Sequence, residues 1–142
     1  MPLTLLDTDI LSEVLKQKNP TVAARAAVYL QQFGAFSFST FTRYEVTRGL
    51  KDKNAVQQLA RFATFCRHSQ ILPVTDAILD RTVDLWVTAR QGGHPRRDAD
   101  LIIAATALES GRVLSTGNRP HFSWIPNLII DDWRIGTAPA VP

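Results

Sequence analysis

The chain is expected to fold as one α/β domain, a mostly parallel five-stranded sheet flanked by helices, and three observations carry that expectation. Short apolar strand-like segments alternate with longer stretches of helical periodicity in the order β-α-α-β-α-α-β-α-α-β-β. The first of these strands runs straight into an acid, Asp7, at the position where open α/β sheets place their ligand crevice. Finally, 142 residues are one domain by length and enough to bury a core without staples.

Taken in order, residues 1–6 form an apolar strand and 9–18 a short helix. A second helix covers 20–33 and is closed by Gly34. Residues 36–39 alternate as a second strand, Thr42 to Glu45 open a third helix that stops at or soon after Gly49, and 54–68 form a fourth. After a third strand at 70–74, Thr75 caps a helix with Ile78, Leu79, Val83, Trp86 and Val87 at about 3.6-residue spacing. Gly92-Gly93-His94-Pro95 ends it. A strongly apolar helix at 98–110 stops at Gly111, followed by strands at 113–116 and 127–130. Residues 1–134 make the single domain, and 135–142, with Ala138 to Pro142 at its end, a loose C-terminal tail.

Composition narrows the function classes. With 45% hydrophobic and 20% charged residues and a mean hydropathy near zero, the chain reads as a soluble globular protein. No apolar run approaches the roughly 20 residues that span a bilayer, and the opening residues lack a signal peptide's basic start and cleavage site, so a cytoplasmic protein with no membrane partner is expected. The single cysteine, Cys66, excludes an internal disulfide and argues against a zinc cluster. A net charge of +3, carried largely by arginine, suits a polyanionic partner.

Three acids draw attention because each falls where a strand hands over to a helix or a helix begins: Asp7, Glu45 and Asp100. Each neighbourhood also has a local explanation. Asp9 with Ser12 suits a helix cap, Thr42-x-x-Glu45 matches a capping box, and Asp98 suits the N-cap of the apolar helix with Asp100 just inside it. Asp7 comes one step early for the best cap. On a parallel sheet all three would converge at one rim, where mutual repulsion is relieved by a divalent cation with oxygen ligands, Mg²⁺ or Mn²⁺. Such an ion supports phosphodiester hydrolysis. His68, His94 and His121 show no ligand spacing and read as surface or loop residues. Arg43, Arg48, Arg96 and Arg97 flank the acidic motifs and are candidates to hold RNA phosphates, with a solvated surface as the ordinary alternative.

The segments 5–12, 39–49, 100–107 and 114–118 resemble, in order, the four motifs of PIN domains, and most closely those of VapC-type toxins of bacterial toxin–antitoxin pairs. The ending Ile130-Asp131-Asp132-Trp133 is similar to the closing segment of many such toxins. The resemblance spans residue 3 to about 133 and implies a three-layer α/β/α sandwich and a Mg²⁺- or Mn²⁺-dependent ribonuclease. It also implies a small antitoxin that blocks the acidic cleft, and a toxin homodimer. Carried onto this chain, Asp7, Glu45 and Asp100 match the family's regular acids, Asp7 and Asp100 being the metal ligands. Thr116 matches a recurrent hydroxyl, and Asp98 is an extra acid, either supporting the site or capping the helix. Asn118 stands where many members carry a fourth acid, which favours one tightly held ion over two.

Two rivals remain at this point. One is a PIN-like domain that binds RNA or protein without cutting, which Asn118 favours. The other is a haloacid-dehalogenase-like phosphatase, suggested by Asp7-x-Asp9 after a strand, although that needs a downstream lysine and none follows Lys53.

Overall fold

The structure, a computed structural model, describes residues 1–136; the C-terminal end at Ala138 to Pro142 lies outside the described residues. Among the described residues there are five short strands, β1 (Thr4–Leu6), β2 (Ser37–Ser39), β3 (Gln70–Leu72), β4 (Val113–Ser115) and β5 (Ile130–Asp131), and every hydrogen-bonded pair of them is parallel. β4 pairs with both β1 and β5, β2 pairs with β3, and β1 runs beside β2, so the spatial order is β3-β2-β1-β4-β5. Hydrogen-bonded pairing is interrupted only between β1 and β2, dividing the sheet into ladders of three and two strands.

Among the described residues seven helices cover the sheet: α1 (Thr8–Lys16), α2 (Pro20–Phe33), α3 (Thr40–Asp52), α4 (Val56–Arg67), α5 (Asp76–Gly92), α6 (Asp98–Glu109) and the short α7 (Arg119–Phe122). Successive strand residues point to opposite faces, and β1 shows what that does. Leu5 joins one apolar cluster with Ile78, Leu85, Leu101, Ile103, Leu114 and Phe122, whereas Leu6 joins another with Ile10, Leu11, Val22, Tyr29, Phe38 and Trp133. A buried sheet with a core on each face is the expected three-layer α/β/α arrangement.

Most boundaries follow from local chemistry. Asn19 caps α2 by accepting from Thr21 and Val22 N–H, Pro20 supplies a first-turn φ, and Gly34 ends the helix at φ 80°. Thr75 accepts from Ile78 N–H at 3.2 Å and starts α5.

Elsewhere the structure differs from the sequence reading. α3 begins at Thr40, because Ser39 at the end of β2 accepts from Phe41 N–H at 3.0 Å; Thr42 is therefore inside the helix and the Thr42/Glu45 capping box does not form. α6 has Arg97 at its N-cap with no side-chain bond, which makes Asp98 its first helical residue and not its cap. β5 starts only at Ile130, after Asn127 turns the chain at φ 66°. Of the periodic stripe of α5 only Ile78 lies on its core face. Ile78, Leu85 and Ala89 are buried against α6, while Leu79, Val83, Trp86 and Val87 face outward.

Candidate active site

The strand order reverses at β1 and β4: β1, β2 and β3 step one way across the sheet, and β4 and β5 lie on the other side of β1. Outside the carboxyl ends of strands at such a switch point, open α/β sheets form their ligand crevice. Asp7 follows β1 there and Thr116 follows β4, with Thr116 Oγ1 donating to Asp7 Oδ2 at 2.8 Å. The register that places them together is Leu6 opposite Ser115, with Asp7 N–H donating to Ser115 O at 2.9 Å.

Asp7 and Asp9 exchange the places the sequence reading gave them. Asp7 is itself the N-cap of α1 in an extended conformation, and its Oδ1 accepts from Thr8 N–H at 2.7 Å. Asp9 sits inside the helix and reaches across the sheet, accepting from Gly117 N–H at 2.8 Å. The cap position falls on the residue directly after the strand because α1 starts with no intervening loop.

Asp7 is only 4% exposed. Burial, reinforced by the charge of Asp9, pushes its carboxyl up to about 7 against the hydrogen bonds from Thr116 and Thr8, and the charge of Asp100 pushes the same way. Among the described residues no lysine or arginine forms an ion pair with Asp7. The carboxyl is thus buried with two donors and, among the described residues, no cation.

The other two acids stand around it. Glu45, half-buried on α3, accepts from Thr8 Oγ1 at 2.7 Å, and that hydroxyl also meets Thr42 Oγ1 at 3.2 Å. Thr8 therefore couples the start of α1 to α3. Asp100, buried in the first turn of α6, has its Oδ2 3.0 Å from Nδ1 of His121 on α7. The sequence reading set His121 aside as a surface or loop residue; it stands on one of the three acids, and α7, which no periodicity announced, puts it there. Among the described residues no three acidic, histidine or cysteine side chains are gathered tightly enough to enclose a metal ion in this arrangement. Asp7 and Asp100 are the buried oxygen donors a hard cation would use, with Glu45 and the Thr116 hydroxyl beside them.

The loop after β4 is held from several sides. Asn118 N–H donates to Thr116 Oγ1 at 3.0 Å, leaving the Asn118 side chain exposed with no bond to Asp7. Arg134 Nη2 donates to Gly117 O at 3.2 Å and to Asp132 Oδ2 at 2.8 Å. A Cβ on Gly117 would stand 2.6 Å from Asp9 Oδ2 and 2.5 Å from Arg134 Cζ, so a side chain here would have to push the ends of those two side chains aside. Burial raises the Asp9 carboxyl although Gly117 N–H opposes it. At Asp132 burial also pushes upward, but the hydrogen bonds and charge of Arg134 win and hold it below the usual range.

The remaining candidates lie outside this crevice. Asp98 is exposed at the start of α6. Arg96 lies over the Trp86 ring at 5.5 Å, next to exposed Arg97. Arg43 and Arg48 project from the outer face of α3.

The comparisons with known proteins agree with this layout. The family model described as "PIN domain" matches residues 4–123. No curated protein sequence is significantly similar to the chain. Among solved structures, the chain is similar to VapBC2 from Rickettsia felis bound to a DNA fragment from its promoter, with a TM-score of 0.82 at 21% identity over 92% of this chain and 98% of that one. It is also similar to DNA-bound VapBC from Salmonella typhimurium, with a TM-score of 0.81 at 25% identity over 94% and 99%. VapBC-1 from nontypeable Haemophilus influenzae gives a TM-score of 0.79 at 25% identity over 92% and 98%.

Proposed function

The chain belongs to the PIN-domain family, and from that premise we propose that it is the toxin of a toxin–antitoxin pair, an endoribonuclease that cuts RNA with one Mg²⁺ or Mn²⁺ ion held by Asp7 and Asp100. The observation that carries the reading is Asp7: a carboxyl 4% exposed, its pKa raised to about 7, beside other acids and, among the described residues, without a cation paired to it. A hard divalent ion would supply the missing charge, and the donor set of carboxylates and hydroxyls suits such an ion. When bound, it would supply Lewis-acid polarisation of the phosphodiester and a lowered pKa for water.

The chain's own groups take the remaining roles. Thr116 and Thr8 N–H fix both oxygens of Asp7. Glu45, tied only to a hydroxyl, is the carboxylate available to take a proton from the attacking water. His121 holds Asp100 by one oxygen and leaves the other for the ion. Asn118 brings no charge, in keeping with a single ion, and its N–H holds the Thr116 hydroxyl. Arg96 and Arg97, just before α6, hold RNA phosphates beside Asp100.

Similar solved structures include a toxin–antitoxin complex from Klebsiella pneumoniae and a member of the VapBC family of toxin–antitoxin systems from Mycobacterium tuberculosis, which supports a cognate antitoxin as this chain's partner; that it covers the acidic crevice, and that the chain forms a homodimer, belong to the same proposal. No helix among the described residues is long and apolar enough to cross a membrane, and a cytoplasmic ribonuclease is the reading that fits an RNA target. One observation favours a second reading, a PIN-like domain that binds RNA without cutting: Glu45 and Asp100 are each engaged by a neighbour rather than gathered with Asp7. Incubation of the purified protein with RNA separates the two. Cleavage with Mg²⁺ or Mn²⁺ that EDTA stops, and that Asp7→Asn and Asp100→Asn abolish in folded protein, is expected. RNA binding without any metal-dependent cleavage establishes the second reading instead.

A further inference from the structure

We propose that the outer face of α3 is a binding track for single-stranded RNA, leading to the acidic rim; the inference rests on the ribonuclease reading and names the surface that holds its substrate. Thr40, Arg43, Tyr44, Thr47, Arg48 and Lys51 recur at the 3-4-7-8-11 spacing of one helical stripe and line a shallow groove of about 360 Å³. Every polar side chain in it can donate, and none is a carboxylate. Among the described residues Arg43, Arg48 and Lys51 form no ion pair, whereas Lys16, Arg25, Arg81 and Arg134 each meet an acid. Three cations in a row with no acid of their own among the described residues match the phosphates of a nucleic-acid backbone.

The aromatic in the stripe separates RNA from a merely acidic partner. Tyr44 is 52% exposed, with the Phe41 ring 5.6 Å away on one side and the Arg48 guanidinium 5.0 Å over it. Arg48 Nη1 also donates to Tyr44 Oη at 3.3 Å, so the guanidinium is held over the ring and the pair offers an exposed planar guanidinium beside an aromatic ring. Unpaired bases stack on such surfaces, and a peptide carboxylate has no need of one. The track also points to the right place. α3 starts at the carboxyl end of β2, its Thr42 and Glu45 meet Thr8 at the active site, and Thr40 to Lys51 covers about 16 Å of helix.

Fluorescence anisotropy of a labelled single-stranded oligoribonucleotide of about 12 nucleotides, in EDTA, tests the track. Arg43→Ala/Arg48→Ala/Lys51→Ala should weaken binding at least about thirtyfold and flatten the logarithmic salt dependence by about 2. Tyr44→Leu should weaken it about tenfold and Tyr44→Phe should restore it. As a charge control, the exposed pair Arg61→Ala/Arg67→Ala on α4 should leave affinity within about twofold. Equal losses from the α3 and α4 sets, or an α3 triple variant that binds like wild type, overturn the track. So does unchanged RNA affinity together with lost binding of a short polyglutamate peptide, which assigns the groove to an acidic protein partner. Cleavage of the same oligonucleotide with Mn²⁺ is read separately. A protein that binds RNA through α3 and cuts nothing keeps the track and loses the nuclease reading, and one that cuts while binding elsewhere does the reverse.

Discussion

Two acids are buried to the same degree at the same end of the sheet, and the protein treats them in opposite ways. Asp131, at the end of β5, and Asp7, after β1, are each 4% exposed. Asp131 is gripped by Arg25 of α2, whose Nη1 and Nη2 each donate to a carboxylate oxygen, and Arg25 donates further to Asp132 O at 3.3 Å and Ile135 O at 3.0 Å. Asp7 has a hydroxyl and an N–H, and the charges of Asp9 and Asp100 against it. One buried charge is neutralised from inside the fold and ties α2 to the last strand; the other meets no cation among the described residues. Burying a charge without a partner is costly, which is why the proposed function rests on the second arrangement.

The largest expected effect breaks the first half of the comparison. Arg25→Ala leaves Asp131 buried and unpaired and should lower stability by about 3–5 kcal/mol, measured by urea unfolding. Asp7→Asn in metal-free buffer should instead leave stability unchanged or raised, because it removes a charge that has no partner. A loss for Asp7→Asn as large as that for Arg25→Ala would show that the two acids are equivalent.

Next comes the pH dependence. The folded carboxyl of Asp7 lies at about 7, above its ordinary 3.8, so the folded state holds a proton that the unfolded state has released. Its contribution is fully present below pH 4 and is lost as pH rises through 7, in total about 4 kcal/mol. Unfolding midpoints in EDTA between pH 4.5 and 8 should fall more steeply for wild type than for Asp7→Asn; parallel curves would contradict the assignment. Thr116→Val tests a smaller part of the same balance. It removes the bond that favours the charged form of Asp7 and should cost RNA cleavage about tenfold, about 1.4 kcal/mol, with Thr116→Ser close to wild type. Equal rates for Val and Ser would show that the hydroxyl is idle.

This contrast was half legible in the sequence. Strand-then-acid at Asp7, the acid early in the apolar helix at Asp100, and Glu45 just after a strand are local patterns, and the parallel topology carries them to one rim. The division of work between Asp7 and Asp9 was misread because a cap depends on where the helix starts to within one residue, and periodicity does not resolve that. The Arg25–Asp131 pair joins residues 106 apart with nothing local to either, and Arg25 inside the apolar helix α2 carries no sign that it is buried. His121 was missed for a related reason: α7 is a four-residue helix after Asn118, too short for any repeat to register. The outward stripe of α5 shows the converse, since a periodic apolar pattern identifies a helix without saying which side α6 covers.

The central claim, that Asp7 is buried for a cation the protein does not itself supply, is met most directly by calorimetric titration of the folded protein with Mn²⁺. The account predicts one binding site per chain in wild type, and no binding to folded Asp7→Asn or Asp100→Asn. Binding that survives either substitution unchanged, or no binding to the wild type at all, would contradict it.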